Sequence, residues 1–263
     1  MITTISNDIL LKKLIKNKLN EILSINLIKN KRLCDAARYS VLDDNNKMIR
    51  PQMLLSVSGE SGIDVACSIE LIHIYSLICD DLPCMDNDDL RHGKPTLHKQ
   101  FDETTALLTG DFLLSLAFEV LSNAPYQPSI KVNLMQVISN KISNNGIIAG
   151  QILDIYTKSD KMSWSEYQNI AMLKTSSLFI STLKCGAIIN KTNNNDTNIL
   201  IEFGKVFGLI YQIADDLQDG DSSLDKHQAK KIINLLTLNA EHLLKRLSCK
   251  NIFLEKCLHT INY

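Results

Sequence analysis

Isoleucine, leucine and valine recur three and four residues apart along most of the chain, and the two-residue alternation of half-buried strands is scarce. The spacing predicts helices over about 7–28, 30–43, 47–58, 64–81, 102–121, 130–153, 163–190, 196–219 and 228–258. Only 10 Gly and 5 Pro are available to interrupt them, so the chain reads as all-α. Asn144–Asn145–Gly146 and Asn193–Asn194–Asn195 stand out as interruptions or turns. No linker-like segment divides the sequence, and the expectation is one domain spanning 1–263.

Two segments share a pattern. IELIHIYSLICDD (69–81) and FGKVFGLIYQIADDLQD (203–219) each run apolar for most of a helix and end in paired aspartates. Carboxylates there face the negative end of the helix dipole, so something must compensate, and bound cations would. Asp215 and Asp219, four apart, lie about 40° apart on one helical face. In the first cluster Pro83 breaks the helix, which leaves Asp80 and Asp81 in its last turn and lets Asp86 fold back from an irregular segment. Either cluster alone reads equally well as a solvated helix end. The recurrence favours metal sites of the magnesium kind, with one or two carboxylates, waters and phosphate oxygens. A calcium loop starting at Asp86 is excluded, because it needs glycine at 91 and glutamate at 97 and the chain has Arg91 and Leu97.

Basic residues accompany these clusters. Arg91, His92 and Lys94 follow the first. Lys47 and Arg50 precede Pro51 at a helix start, where backbone N–H groups also favour an anion. His73 lies two turns before Asp80, about 20° away on the same face. Taken singly, it reads as a core histidine, and Lys47 and Arg50 as surface charges. Together with two acidic sets, a basic set implies two polyphosphate groups, only one of them held through metal.

The totals leave such local electrostatics as the only kind available. A net charge of −1 over 263 residues steers the protein towards neither nucleic acid nor anionic membrane. Seven scattered cysteines without a C-x₂-C pair make a zinc site the wrong expectation and suit a reducing compartment. The first twenty residues lack the apolar stretch of a signal peptide, and no run of eighteen apolar residues occurs. The expectation is a cytoplasmic protein without membrane insertion.

The run DDLPCMDNDDLRHGKPT (80–96), with LIHIYSLI before it and LLTGD (107–111) after it, resembles bacterial short-chain trans-prenyl diphosphate synthases, the farnesyl type most closely. KMIRP (47–51), GQILD (150–154), Lys174–Thr175 and YQIADDLQD (211–219) match further motifs of that family in its order, over about residues 30 to 225. The resemblance implies a bundle of about ten helices of the isoprenoid synthase type around a central cavity, with the two acidic clusters facing each other across its mouth, in a homodimer. It implies Asp80 and Asp86, with Asp81 close by, as ligands of two Mg²⁺ ions. Asp215 would hold a third, supported by Asp216 and Asp219. Arg91, Lys174 and Lys226 would grip the allylic diphosphate. Lys47, Arg50 and His73 would hold isopentenyl diphosphate without metal. Oxygens of Thr175, the Lys174 backbone and Gln212 would face the allylic cation. Tyr75, five residues before Asp80, would be a floor that stops the product near fifteen carbons; by helical angle alone it packs elsewhere, about 140° from Asp80. The function implied is condensation of isopentenyl diphosphate with dimethylallyl or geranyl diphosphate to give mainly farnesyl diphosphate. The alternatives are a geranyl diphosphate producer, a terpene cyclase, which would not need the second diphosphate pocket, and a weakly active or non-catalytic subunit.

Three departures from the family pattern matter. Asn45–Asn46 replace paired glycines before Lys47. His92 replaces a second arginine at the isopentenyl diphosphate site, which predicts binding weakened about ten- to a hundredfold and recovering towards pH 6. The segment after Asp219, DGDSSLDKHQAKK, is a shortened form of the family's closing loop, with Lys226, Lys230 and Lys231 to supply charge.

Overall fold

The computed structural model describes residues 2–26, 30–157, 162–220 and 225–261. Almost all regular structure in them is helical. The chain forms two compact units, 1–55 with 60–131, and 56–59 with 132–263.

The first unit holds α1 (Ile2–Asn26), α2 (Lys31–Val41), most of α3 (Ile49–Ser58), α4 (Ile63–Asp80), a two-stranded hairpin of β1 (Leu90–Arg91) and β2 (Lys94–Pro95), α5 (Leu97–Gln100) and α6 (Glu103–Asn123). Its centre is α4 against α6. Val65, Ala66, Cys67, Ile69, Leu71, Ile72, Ile74 and Ile78 are all buried, so α4 is apolar nearly all round and suits only a core position. Small residues of α6, Ala106, Gly110 and Ala117, let it approach closely.

The second unit runs from α7 (Pro128–Ile142), whose first turn belongs to the other unit, through α8 (Ile147–Thr157), α9 (Trp164–Ala171) and a π-helical turn (Met172–Ser176). It continues with α10 (Ser177–Ile189), α11 (Asn194–Asp219), α12 (Lys226–Lys245) and α13 (Ile252–His259). Phe179, Phe203 and Phe207 form its buried aromatic centre, with Phe179 and Phe207 edge to face at 5.0 Å. Gly204 and Gly208, one turn apart on α11, let that helix rest on the backbone of Ile180 and Ser176.

Asparagine supplies much of the helix punctuation. Asn30, Asn193 and Asn251 each cap a helix by accepting a backbone N–H three residues on. Asp102 and Asp225 do the same, and Ser163 forms a capping box with Glu166.

The helical expectation holds over most of these residues, with four differences. The helix expected over 130–153 breaks at Asn144–Asn145–Gly146, the break its composition suggested; a Cβ on Gly146 would sit 1.7 Å from the Lys141 carbonyl oxygen. The helix expected over 228–258 breaks between Lys245 and Ile252, where Asn251 caps α13 and donates to the Ser56 carbonyl at 3.0 Å. The helix expected over 163–190 contains the π turn. The β1–β2 hairpin was not expected, because two-residue strands are too short to show alternation.

By length and composition three helical stretches are apolar enough to cross a membrane, Glu60–Asp80, Glu103–Asn123 and Trp164–Ile189, although each carries interspersed polar residues; their windows are 61, 50 and 67% buried within the protein. Such sequences serve equally well as core helices, and here they form the two cores.

A Cβ at Gly208 would lie 2.5 Å from the Ser176 Cα, where only backbone movement can relieve it. Alanine gains about 1 kcal/mol over glycine in a helix interior, but overpacking costs ~1–3 kcal/mol, and contact with backbone takes the upper part of that range. Gly208→Ala should therefore lower the urea midpoint; an unchanged or higher midpoint would show that α11 has room to move.

Candidate active site

The acidic end of α4 is built by a chain reversal. After Asp80 the backbone turns through Pro83, so that the Asp86 N–H donates to the Asp80 carbonyl at 2.9 Å while Met85 and Asn87 both bond back to Leu82. Asp86 therefore returns to Asp80, as the proline led one to expect. Asp81 faces elsewhere. It is 4% exposed, and its Oδ1 accepts from Arg91 Nε at 2.8 Å and Nη2 at 2.6 Å. Burial pushes the Asp81 carboxyl up, against the pull of the guanidinium.

Arg91 sits on β1, and β1 pairs with β2 in the register Arg91 opposite Lys94. The two residues between them, His92 and Gly93, have φ of 51° and 79°. Positive φ at both places makes a turn whose twist suits a hairpin. His92 is thus a turn residue in the left-handed region, where an ordinary side chain is strained. Lys94 pairs with Asp43 at 2.9 Å, and the Tyr39 hydroxyl donates to the Pro95 carbonyl at 2.7 Å. Both contacts tie the hairpin to the end of α2 and the loop before α3.

That loop carries the basic set. The buried Asn46 donates to the Ser40 and Val41 carbonyls at 2.9 and 3.2 Å, closing the end of α2 with a side chain where a glycine would leave backbone open. Gln52 donates to the Lys47 and Met48 carbonyls, both at 3.0 Å, and Met48 adopts φ of 52°. Lys47 is exposed and Arg50 buried. Arg50 Nη1 lies 3.1 Å from His73 Nε2. A guanidinium only donates, so His73 Nε2 is the acceptor and the imidazole is neutral, with its proton on Nδ1. Burial, followed by the charges of Arg50 and Arg91, holds His73 well below its ordinary range. One turn before it, Glu70 is 1% exposed, and its Oε2 has no hydrogen-bond partner among the described residues. Burial pushes Glu70 up to about 7, with Arg50 pulling the other way. A glutamate inside an otherwise apolar helix, three residues before His73, was a visible signal that sequence reasoning passed over.

Tyr75 points its ring at Gly110 of α6, where a Cβ would meet Tyr75 Cδ2 at 3.5 Å. Its hydroxyl is hydrogen-bonded to the Cys79 thiol, and burial pushes the two groups up to about 12 and about 11.

In the second unit, α11 brings Asp215 out to solvent and half-buries Asp216. Both oxygens of Asp216 are engaged: Tyr167 donates to Oδ2 at 2.5 Å, and Gln212 Nε2 to Oδ1 at 2.7 Å. Burial pushes Asp216 up to about 6 despite those two bonds. The Thr175 hydroxyl donates to Gln212 Oε1. Lys174 donates to Asp154 Oδ2 at 2.7 Å. Lys174 and Thr175 lie on the π turn, whose extra residue re-aims side chains relative to the flanking helices. Gly150 lets α8 touch that turn, since a Cβ there would be 2.3 Å from the Lys174 nitrogen, and Asp154 follows one turn later. Lys226 is exposed at the start of α12. The Asp219 side chain and residues 221–224 of the expected closing loop lie outside the described residues.

The donors at both acidic ends are carboxylate oxygens, the hard donors that magnesium takes. Among the described residues no group of three or more His, Cys, Asp and Glu side chains is gathered so as to hold an ion by itself. Magnesium needs no such cage, because it keeps waters and completes its shell from phosphate oxygens. The carboxylates at the end of either acidic helix fit that kind of binding, and Asp81 is bonded to Arg91 and Asp216 to Tyr167 and Gln212. Tyr167 is a site residue that the sequence reading did not single out, and Asp154 is the last position of the GQILD motif it quoted.

A family model described as Polyprenyl synthetase matches residues 30–240. The chain is similar to a farnesyl diphosphate synthase of Micrococcus luteus, 38% identical over 200 residues that cover 74% of this chain and 68% of that one. It is also similar to a chloroplastic geranylgeranyl pyrophosphate synthase of Capsicum annuum, 40% identical over 201 residues, 73% of this chain and 54% of that one. Among solved structures, an apo FPP/GFPP synthase from Zymomonas mobilis matches with a TM-score of 0.89 at 31% identity, covering 98% of this chain and 99% of that one.

Glu70 sets a pH dependence. Between an ordinary glutamate near 4.5 and its folded value of about 7, the folded protein retains a proton that the unfolded chain has released. Its contribution to stability thus falls as pH rises through that window, by ~3 kcal/mol in all, and is level above it. Asp216, raised from 3.8 to about 6, adds a slope of the same sign. Glu70→Gln should remove only the first, so its urea midpoint should gain on the unsubstituted protein between pH 5 and pH 8. Parallel midpoints across that range would refute the assignment.

Proposed function

Since the chain belongs to the polyprenyl synthetase family, whose all-α isoprenoid synthase fold it shares and whose prenyltransferase chemistry it carries, we propose that it condenses isopentenyl diphosphate with dimethylallyl or geranyl diphosphate, giving mainly farnesyl diphosphate. The observation that carries this reading is the sorting of the aspartates. At each acidic helix end the second carboxylate is turned to internal donors, Asp81 to Arg91 and Asp216 to Tyr167 and Gln212. In this reading Asp80, Asp86 and Asp215 serve the same allylic diphosphate through three Mg²⁺ ions. When bound, magnesium supplies Lewis-acid stabilisation of the leaving diphosphate.

The remaining steps fall to the chain's own groups. Arg91, fixed by Asp81, and Lys174, fixed by Asp154, present their charges to the allylic diphosphate in preset directions, and Lys226 assists in this reading. Preset donors cost no reorganisation when charge develops on the leaving oxygen. The oxygens of Thr175 and Gln212 face the allylic cation and lower its energy without capturing it, because neither is an ionised nucleophile. Lys47 and Arg50 hold the second diphosphate without metal, and His73 acts there by accepting from Arg50. His92 lies at the same subsite in place of an arginine. The isopentenyl double bond attacks the cation, forming the new C–C bond, and the departed diphosphate removes the proton. No side-chain nucleophile is required.

Product length rests on Tyr75, since relatives of this chain carry the names of both farnesyl and geranylgeranyl synthases. A cytoplasmic homodimer acting on small diphosphates, with no nucleic-acid partner and no membrane insertion, completes the reading. The second reading, a weakly active or non-catalytic subunit, is favoured by His92.

Labelled isopentenyl diphosphate, incubated with dimethylallyl or geranyl diphosphate, should be incorporated into a fifteen-carbon product only when Mg²⁺ is present. Folded protein that yields no elongated product would replace this reading with the subunit. Tyr75→Ala should shift products beyond fifteen carbons, and an unaltered distribution would remove Tyr75 as the floor.

A further inference from the structure

Tyr167 stands in the first turn of α9, in a place fixed from several sides. Its backbone N–H bonds to the Ser163 carbonyl at 3.0 Å, next to the Ser163–Glu166 capping box. Its ring stacks on Trp164 at 5.7 Å with 22° between the planes. It is 8% exposed, and its hydroxyl is spent on Asp216 Oδ2 at 2.5 Å. Burial and then the Asp216 carboxylate push the phenol up, so it remains a donor at any working pH.

The chain of contacts then has only one direction. Asp216 as a carboxylate accepts and cannot donate, so Gln212 must turn its NH₂ towards Oδ1. That choice leaves Gln212 Oε1 facing Thr175, whose hydroxyl donates to it. An amide can be reversed by rotating half a turn, and nothing in Gln212 itself prefers one face. What decides is a carboxylate held still on its other oxygen.

We propose that Tyr167 is a positioning residue of the prenyl transfer: through Asp216 it fixes the Gln212 amide with its oxygen, not its nitrogen, at Thr175. The inference rests on the function proposed above, in which those oxygens face the allylic cation. A reversed amide would present N–H donors, which destabilise a cation where the oxygen stabilises it. Tyr167 itself touches no reacting atom.

The test is Tyr167→Phe, which keeps the ring, the Trp164 stack and the volume and removes only the donor. In the magnesium-dependent elongation assay kcat should fall about 10- to 100-fold, the effect of losing one hydrogen bond to a charged group. The KM for isopentenyl diphosphate should stay within about twofold, since Lys47 and Arg50 hold that substrate in the proposed reading. In a Gln212→Ala background, the same substitution should add almost nothing, because the residue through which it acts is gone. The inference is overturned by a kcat within about twofold of the unsubstituted enzyme, by a parallel rise in KM, or by effects of the two substitutions that multiply. Should Tyr167→Phe fail to fold by circular dichroism, Asp216→Asn asks the same question. Its amide keeps the volume but can set an N–H against Gln212 and reverse it, and kcat should again fall at constant KM unless Gln212 is already alanine; an Asp216→Asn enzyme with full kcat, or with an equal further loss in the Gln212→Ala background, overturns the inference. An unsubstituted protein without magnesium-dependent elongation would sink the proposed function before any variant is made. An active one with an unaffected Tyr167→Phe sinks this inference alone.

Discussion

Carboxylates gathered at the C-terminal ends of α4 and α11 stand where the helix dipole is already negative. Each such placement is unfavourable by several tenths of a kcal/mol, and adjacent carboxylates add repulsion. The surroundings of each helix end can be understood as the answer to that constraint. In each pair the second aspartate is turned inward and matched: Asp81 receives two N–H groups of Arg91, and Asp216 receives Tyr167 and Gln212.

The parts of this arrangement that were legible in the sequence are those written in short-range pattern. Apolar spacing located α4 and α11, their paired aspartates marked the ends, and Pro83 explained how Asp86 comes back. The parts that were not legible depend on partners distant in sequence or on backbone register. The π turn inserts one residue without disturbing apolar spacing, so Lys174 and Thr175 looked like members of one continuous helix. Tyr167 is an ordinary polar residue until the folded chain sets it against Asp216, 49 residues away, and Asp154 was legible as a motif position but not as the partner of Lys174, 20 residues away. His92 was legible only as a missing arginine; its positive φ, and hence its part in shaping the hairpin that carries Arg91, belongs to the backbone. The long helix expected over 228–258 had no glycine or proline to announce its break, and the break is made by a capping asparagine instead.

The pairing of the basic residues follows a rule that the proposed chemistry explains. Arg91 and Lys174, assigned to the allylic diphosphate, are each held by a carboxylate, Asp81 and Asp154. Such a pair is well directed but contributes less net charge, which in the proposed reading is made up by magnesium. Arg50, assigned to the diphosphate that has no metal, is held by a neutral imidazole acceptor instead. That partner directs the guanidinium without cancelling its charge as a carboxylate would. Glu70 also acts on Arg50, and burial pushes it up to about 7, which keeps it partly protonated at neutral pH and limits what it can cancel. A charged His73 would be repelled by Arg50, and an ionised carboxylate in its place would neutralise the site. A half-buried neutral histidine avoids both, and this gives a physical reason for the histidine in the middle of α4.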